Sequence, residues 1–203
     1  GTASDLITEP IDLALVRRLS AVAGRCTAAF EEYDHASALE QAERFFWFFC
    51  DDYLELVKAR AYGEHGQAAA ASALATLRLG LSVLLRLLAP VLPFVTEEVW
   101  SWWQDGSVHR AAWPEAAGLA ELAGPGDEAV LVAASAAIAA IRKARSQARL
   151  PNKTPVSLLI VTADADSLSA LEAAGPDVQS AGRVTGIQLR AGAGAEPQHE
   201  VVI

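Results

Sequence analysis

The chain has 203 residues, 52% of them hydrophobic and 20% charged. That is too apolar for a disordered segment, and long enough to bury a core without disulfide or metal staples. Sixteen Lys and Arg against 25 Asp and Glu leave a net charge of −9, so the chain has no bulk attraction for nucleic acid or an anionic membrane, and any RNA contact needs a local concentration of basic residues.

Ala and Leu dominate the composition, and both favour helix. Thr8 reads as the N-cap of a first helix, with Glu9 and Pro10 in its first turn. Leu15, Leu19, Val22, Cys26, Ala29 and Tyr33 then recur at helical spacing. Ser37-Ala38-Leu39-Glu40 has the form of a capping box and opens a second helix. Its stripe is Leu39, Ala42, Phe46, Phe49, Tyr53, Leu56 and Arg60, with Phe46, Phe49 and Tyr53 expected in the core, and Gly63 and Gly66 end it. A third helix carries Leu74, Leu77, Leu81, Leu84 and Leu88 on one face and stops before Pro90. Thr96, followed by Glu97 and Glu98, is expected to cap a short fourth helix through Trp103, with the acids at the positive end of its dipole. These stripes and short connections predict an antiparallel bundle.

The stretch from Asp105 to Gly126 is rich in Gly and Pro and reads as a loop crossing one end of that bundle. Asp127 and Glu128 open a fifth helix running to about Leu150. Beyond Pro151, Val156 to Val161 reads as a strand, Asp166 to Ala174 as a small helix, and Val184 to Leu189 and Glu200 to Ile203 as further strands. The expected architecture is therefore mainly α: a helical bundle over residues 1–124, then a long basic helix and a small appended α/β unit over 125–203.

No catalytic constellation emerges: the chain has no glycine-rich phosphate loop and no HExxH, and His35, His65, His109 and His199 are scattered as surface residues. No catalytic residue and no metal site is expected. Cys26 and Cys50 have no metal-type spacing and read as reduced, buried thiols of a cytoplasmic protein. No signal peptide opens the chain, and the apolar run from Leu79 to Val95 is broken by Arg86, Pro90 and Pro93, so it reads as no membrane span. Met is absent even from position 1, as expected of a piece of a longer protein.

Two features point to RNA. Phe45-Phe46-Trp47-Phe48-Phe49 runs all the way round a helix, so one core stripe cannot bury every ring, and Phe45 or Phe48 is a candidate platform for an unpaired base. The second is the basic run Arg142, Lys143, Arg145 and Arg149, followed by Lys153, with no acid among them. At 100° per residue Leu131, Ile138, Arg142, Arg145 and Arg149 share a stripe about 60° wide. The inner face of this helix thus turns cationic near its end, as it would where it meets RNA phosphate. Failing RNA, Glu97 or Glu98 are the candidate pairing partners.

Phe49-Cys50-Asp51-Asp52-Tyr53-Leu54-Glu55 resembles the FCDWYLE helix of valyl-tRNA synthetases, with Asp52 where many of them carry Trp. Leu87 to Trp100 resembles the L-x-P-x-x-P-F-x-T-E-E-x-W segment shared by the class I synthetases for valine, isoleucine and leucine, and Val108 to Pro114 is similar to the segment ending in Trp-Pro that follows it. Order and spacing agree over about residues 5 to 115.

The resemblance implies a helical domain that docks the anticodon stem and loop of valine tRNA. The parent would couple valine to that tRNA using ATP on a Rossmann domain with HIGH and KMSKS motifs, edit mischarged threonine elsewhere, and in many members continue into a coiled-coil arm. Neither motif occurs here, so the chain itself is expected to be non-catalytic and to hold no cofactor. Its expected partners are valine tRNA and the catalytic domain of the same polypeptide, with no membrane. An isoleucyl-type domain and a purely structural packing module are the alternatives.

Overall fold

The computed structural model describes residues 3–192 and 196–203. Helix α1 (Pro10–Glu31) begins with Pro10 in its first turn, where the missing N–H costs nothing. Thr8 is not its cap. Glu9 holds that position without a side-chain bond, and the Thr8 and Glu9 amides donate to Ser72 Oγ at 3.1 and 3.2 Å. Helix α2 (His35–Phe48) is capped by Asp34, whose carboxylate accepts from the Ser37 amide, so Ser37 is the donor and not the cap. A π turn, Phe49–Tyr53, carries the chain into α3 (Leu54–Ala61).

That π turn explains a shift in the core. Its extra residue changes the helical phase, so a stripe carried back from α3 lands one position off in α2. The buried residues are Ala38, Ala42, Phe45, Phe49, Tyr53, Leu56, Val57 and Arg60, while Phe46 is half-buried. Helix α4 (Gln67–Leu88) packs closely on the aromatic segment at Gly80, where a Cβ would stand 2.5 Å from the Phe49 ring. Although α4 has the length and apolar composition of a membrane-crossing helix, it carries Ser72 and Thr76 into the bundle interior and packs on α1 and α3.

Helix α5 (Pro93–Ser101) starts three residues before Thr96, because Pro93 supplies its first turn. Thr96 instead donates to the Leu92 carbonyl from within the helix, and Glu97 accepts from Ser107 Oγ and the Val108 amide, tying down the next turn. The expected loop after it contains a further helix, α6 (Ala116–Ala123), which packs on α1 through Leu119 and Ala123 and accepts from Ser20 at the Ala116 carbonyl. Eight residues make only about two turns, too short a run to stand out between the Gly and Pro residues on either side.

Helix α7 (Glu128–Gln147) is capped by Asp127. It ends short of Leu150 because Arg149 turns left-handed (φ 54°), letting the Leu150 amide reach the Arg145 carbonyl and the Arg149 amide reach Ser146. The tail comprises β1 (Val156–Ala163), α8 (Ala165–Ala173), α9 (Gly175–Gly182), β2 (Val184–Ala191) and β3 (Gln198–Val202), so the single small helix expected there is two. Strand β1 is central: it pairs in parallel with β2, Val156 opposite Val184, and antiparallel with β3, Val161 opposite His199. Parallel pairing requires a crossover, which α8 and α9 supply. Residue 124 lies in the turn between α6 and α7, and one apolar cluster continues across it, from Leu15 and Leu19 through Leu131 and Ile141 to Leu159 and Leu171.

Candidate nucleic-acid interface

The inner face of α7 is apolar at its start, with Leu131, Ala134 and Ile138 buried, and reaches Arg145 two turns later. Arg145 is only 4% exposed. Its Nη2 donates to the Gly182 carbonyl at 2.6 Å, and its Nε is buried without a partner. Burial, and then the neighbouring Arg183 charge, push this guanidinium below its ordinary value. Arg145 is therefore a buried residue with an incomplete set of partners, where the sequence pattern predicts a cation presented to RNA phosphate.

Arg142, on the exposed side, bonds the Asp52 carboxylate at 3.0 Å and the Asp51 carbonyl at 3.1 Å. Glu97 and Glu98 do not pair with either arginine: Glu98 accepts from Trp102 Nε1, and Glu97 serves the turn already described. Asp52 is thus used to hold α7 against the π turn. Lys143 and Arg149 are exposed, and so is Lys153 on the loop before β1.

Of the basic residues singled out in the sequence, the fold gathers Arg142, Arg145 and Lys153 around one open cavity of about 300 Å³, and adds Arg183 from the turn between α9 and β2. Asp52 and Glu55 form its acidic side. Lys143 and Arg149 do not line it. Arg183 was missed because it is separated from the basic run by the whole βαα segment. The sequence signal for it is weak: an arginine directly after Gly182 at the start of a strand.

The aromatic candidates lie elsewhere. Phe45 is 3% exposed and its ring meets Phe48 and Phe49 at centroid distances of 6.2 Å each. No face is left for a base. Phe48 is half-buried, and Arg18 lies over its ring at 3.9 Å, so a protein cation occupies the stacking position. The most exposed aromatic ring of the P-x-x-P-F segment is Phe94, 89% exposed.

Sequence reasoning also missed a buried polar cluster that ties the bundle to the tail. Arg60, 2% exposed, donates from Nη1 and Nη2 to the two Asp12 oxygens at 2.8 and 2.7 Å, and from Nε to Asp177 at 2.8 Å. Tyr53 and Ser72 hydroxyls each donate to Asp12 at 2.6 Å. Burial alone would lower the Arg60 guanidinium, but Asp12 and then Asp177 hold it well above its usual value. The available signal was Arg60 itself, standing on a stripe of otherwise apolar positions. Among the described residues no group of His, Cys, Asp and Glu is arranged to hold a metal; both cysteines are free thiols, Cys26 buried as expected but Cys50 only half-buried.

Comparison with known proteins then gives this geometry its context. Over 179 residues the chain is 51% identical to the valine–tRNA ligase of Thermobifida fusca, covering 88% of the chain and 20% of the relative. Against the valine–tRNA ligase of Leifsonia xyli it is 46% identical over 187 residues (92% of the chain, 22% of the relative), and against that of Salinispora tropica 47% over 192 (88% and 22%). The chain thus spans about a fifth of the length of the curated relatives it matches. The family described as the anticodon-binding domain of tRNA ligase matches residues 12–160, from the Asp12 that anchors the buried cluster, through the basic end of α7, into β1, and the chain belongs to that family.

Proposed function

We propose that this chain is the anticodon-stem-loop module of a valine–tRNA ligase, positioning valine tRNA for an ATP-dependent aminoacylation carried out by the catalytic domain of the same polypeptide, in the cytoplasm. The observation that carries the reading is the 46–51% identity to valine–tRNA ligases over nine-tenths of the chain. The uneven charge supports it: a protein of net charge −9 collects Arg142, Lys143, Arg145, Arg149 and Lys153 at one end of one helix. Exposed Lys143, Arg149 and Lys153 would set the register of the RNA through its phosphates, and carry no base information.

Phe45 and Phe48 take no part in this reading, since protein groups occupy both rings. Catalysis and ATP belong to the rest of the proposed parent, and the helical bundle is the scaffold that aims the cationic end of α7.

The test is a gel shift of the purified chain with valine, isoleucine and leucine tRNAs. Tightest binding of the valine tRNA is the expected result. Equal binding of all three would leave the amino-acid assignment without support, and no binding to any would favour a packing module. The same preparation should give no valine-dependent pyrophosphate exchange above a protein-free blank.

A further inference from the structure

The cavity beside Arg145 has the makings of a built anion seat. Of the carboxylates on its wall, Asp52 is engaged by Arg142 at 3.0 Å and Glu55 by Lys58 at 3.0 Å. Among the described residues no carboxylate comes within ion-pair distance of Arg145, Lys153 or Arg183. Arg145 is more than nine-tenths buried, yet it spends a single N–H on protein and leaves Nε unpaired. A buried guanidinium with so few partners is costly, because such groups are normally paired and fully hydrogen-bonded. A cavity of about 300 Å³ has room for roughly ten waters at about 30 Å³ each, enough for a tetrahedral oxyanion and its remaining hydration.

Two backbone features lie beside the cavity. Arg183 adopts φ 50°, a left-handed conformation that a glycine would take more cheaply. Directly before it, Gly182 packs closely: a Cβ there would lie 2.8 Å from the Ile141 and 2.9 Å from the Val184 side-chain methyls, which would have to shift. Close approach at Gly182 puts its carbonyl on Arg145, and the strained turn presents a cation where a neutral residue would have sufficed.

We infer that this cavity is the seat of one phosphate group, a backbone phosphate of the RNA that the proposed function brings to this face, with Arg145 at its floor and Lys153 and Arg183 at its rim. The inference rests on the proposed RNA-binding reading for the source of the phosphate, but not for the existence of the seat. Arg183 is thereby assigned a role in binding that the basic run alone does not suggest.

Two measurements on the full chain test it. In the first, inorganic phosphate is titrated while the Arg145 Nε–H signal is followed by nitrogen-15 NMR, identified by its loss in Arg145→Lys. A saturable shift is expected, abolished in the double variant Arg183→Gly/Lys153→Gln, whose glycine suits the left-handed turn and whose Tm should therefore be no lower than the parent's. In the second, the affinity for valine tRNA is measured against salt for the same two proteins. Loss of Lys153 and Arg183 as partners of one phosphate should reduce the slope of log affinity against log salt by about 0.7–0.9. A saturable phosphate shift with an unchanged slope would overturn the RNA phosphate as occupant and leave a seat for a small free phosphate. Absence of a saturable shift, with tRNA bound and the slope unchanged, would overturn the seat while the RNA-binding reading stood. Absence of any tRNA binding would overturn that reading, and the RNA part of this inference with it.

Discussion

Two buried arginines, Arg60 and Arg145, are 2% and 4% exposed, and their surroundings are opposite in kind. Every nitrogen of Arg60 is spent on protein: two on Asp12 and one on Asp177. Arg145 has one carbonyl, an orphan Nε, and another cation as neighbour. Burial is the same but completion is not. A guanidinium closed off by two carboxylates is a clasp between elements, here between α1, α3 and α9. One left incomplete beside a cavity has donors to offer to something else. Exposure would not have separated the two; a full accounting of donors does.

The most severe way to break the comparison is Arg60→Leu. It would strand the Asp12 and Asp177 carboxylates in the interior, and breaking a buried pair in this way costs about 3–5 kcal/mol. Urea unfolding should register the loss in full. A cost below about 1 kcal/mol would mean that the cluster is not a clasp at all.

Tyr53→Phe removes one donor from Asp12 and leaves the ion pair intact. Hydrogen bonds to charged groups are worth about 1.5–3 kcal/mol, so a loss of that size is expected from the same measurement.

For Arg145→Met the expectation is a change within about 1 kcal/mol in either direction. The Gly182 carbonyl loses its donor, but a poorly repaid buried charge goes with it. A loss as large as that of Arg60→Leu would make Arg145 a second clasp and erase the contrast.

The smallest effect concerns pH. Burial pushes the Asp177 carboxyl above the ordinary range, against the pull of Arg60. Because its folded value lies above its unfolded value of about 3.9, the contribution of this group is complete below about pH 4 and declines as pH rises through the folded value. Relative to the parent, Asp177→Asn should therefore gain stability as pH rises from about 4 through the folded value. Urea midpoints across that range that ran parallel, or moved the other way, would contradict it.

Local signals were read well where one element writes its own pattern. The α4 boundaries follow from Gly66 and Pro90, the α7 start from Asp127, and β1 from a short apolar run between Pro155 and an acidic turn. Signals failed where two elements compete or where the helix changes pitch. Asp34 and Ser37 both suit a cap, and Asp34 holds the place because the chain has just left α1 there. Phe45 displaced Phe46 from the core because a π turn leaves no mark in hydrophobic spacing. Arg142 and Arg145 looked alike as neighbours on one stripe, yet the packing of α9 and β2 covers one of them and leaves the other to Asp52.

The sequence by itself determined the class of this protein, a helical bundle with an α/β tail, and through its Phe-rich and P-x-x-P-F segments the kind of family to which it belongs. Both rest on periodicity and motif, properties of residues near one another in the chain. Tertiary structure alone decided which cations are spent and which are left over. That outcome depends on which carboxylates and carbonyls arrive from elements such as α1 and α9, more than a hundred residues apart in the chain, and charge is felt over distances in space to which sequence order is blind.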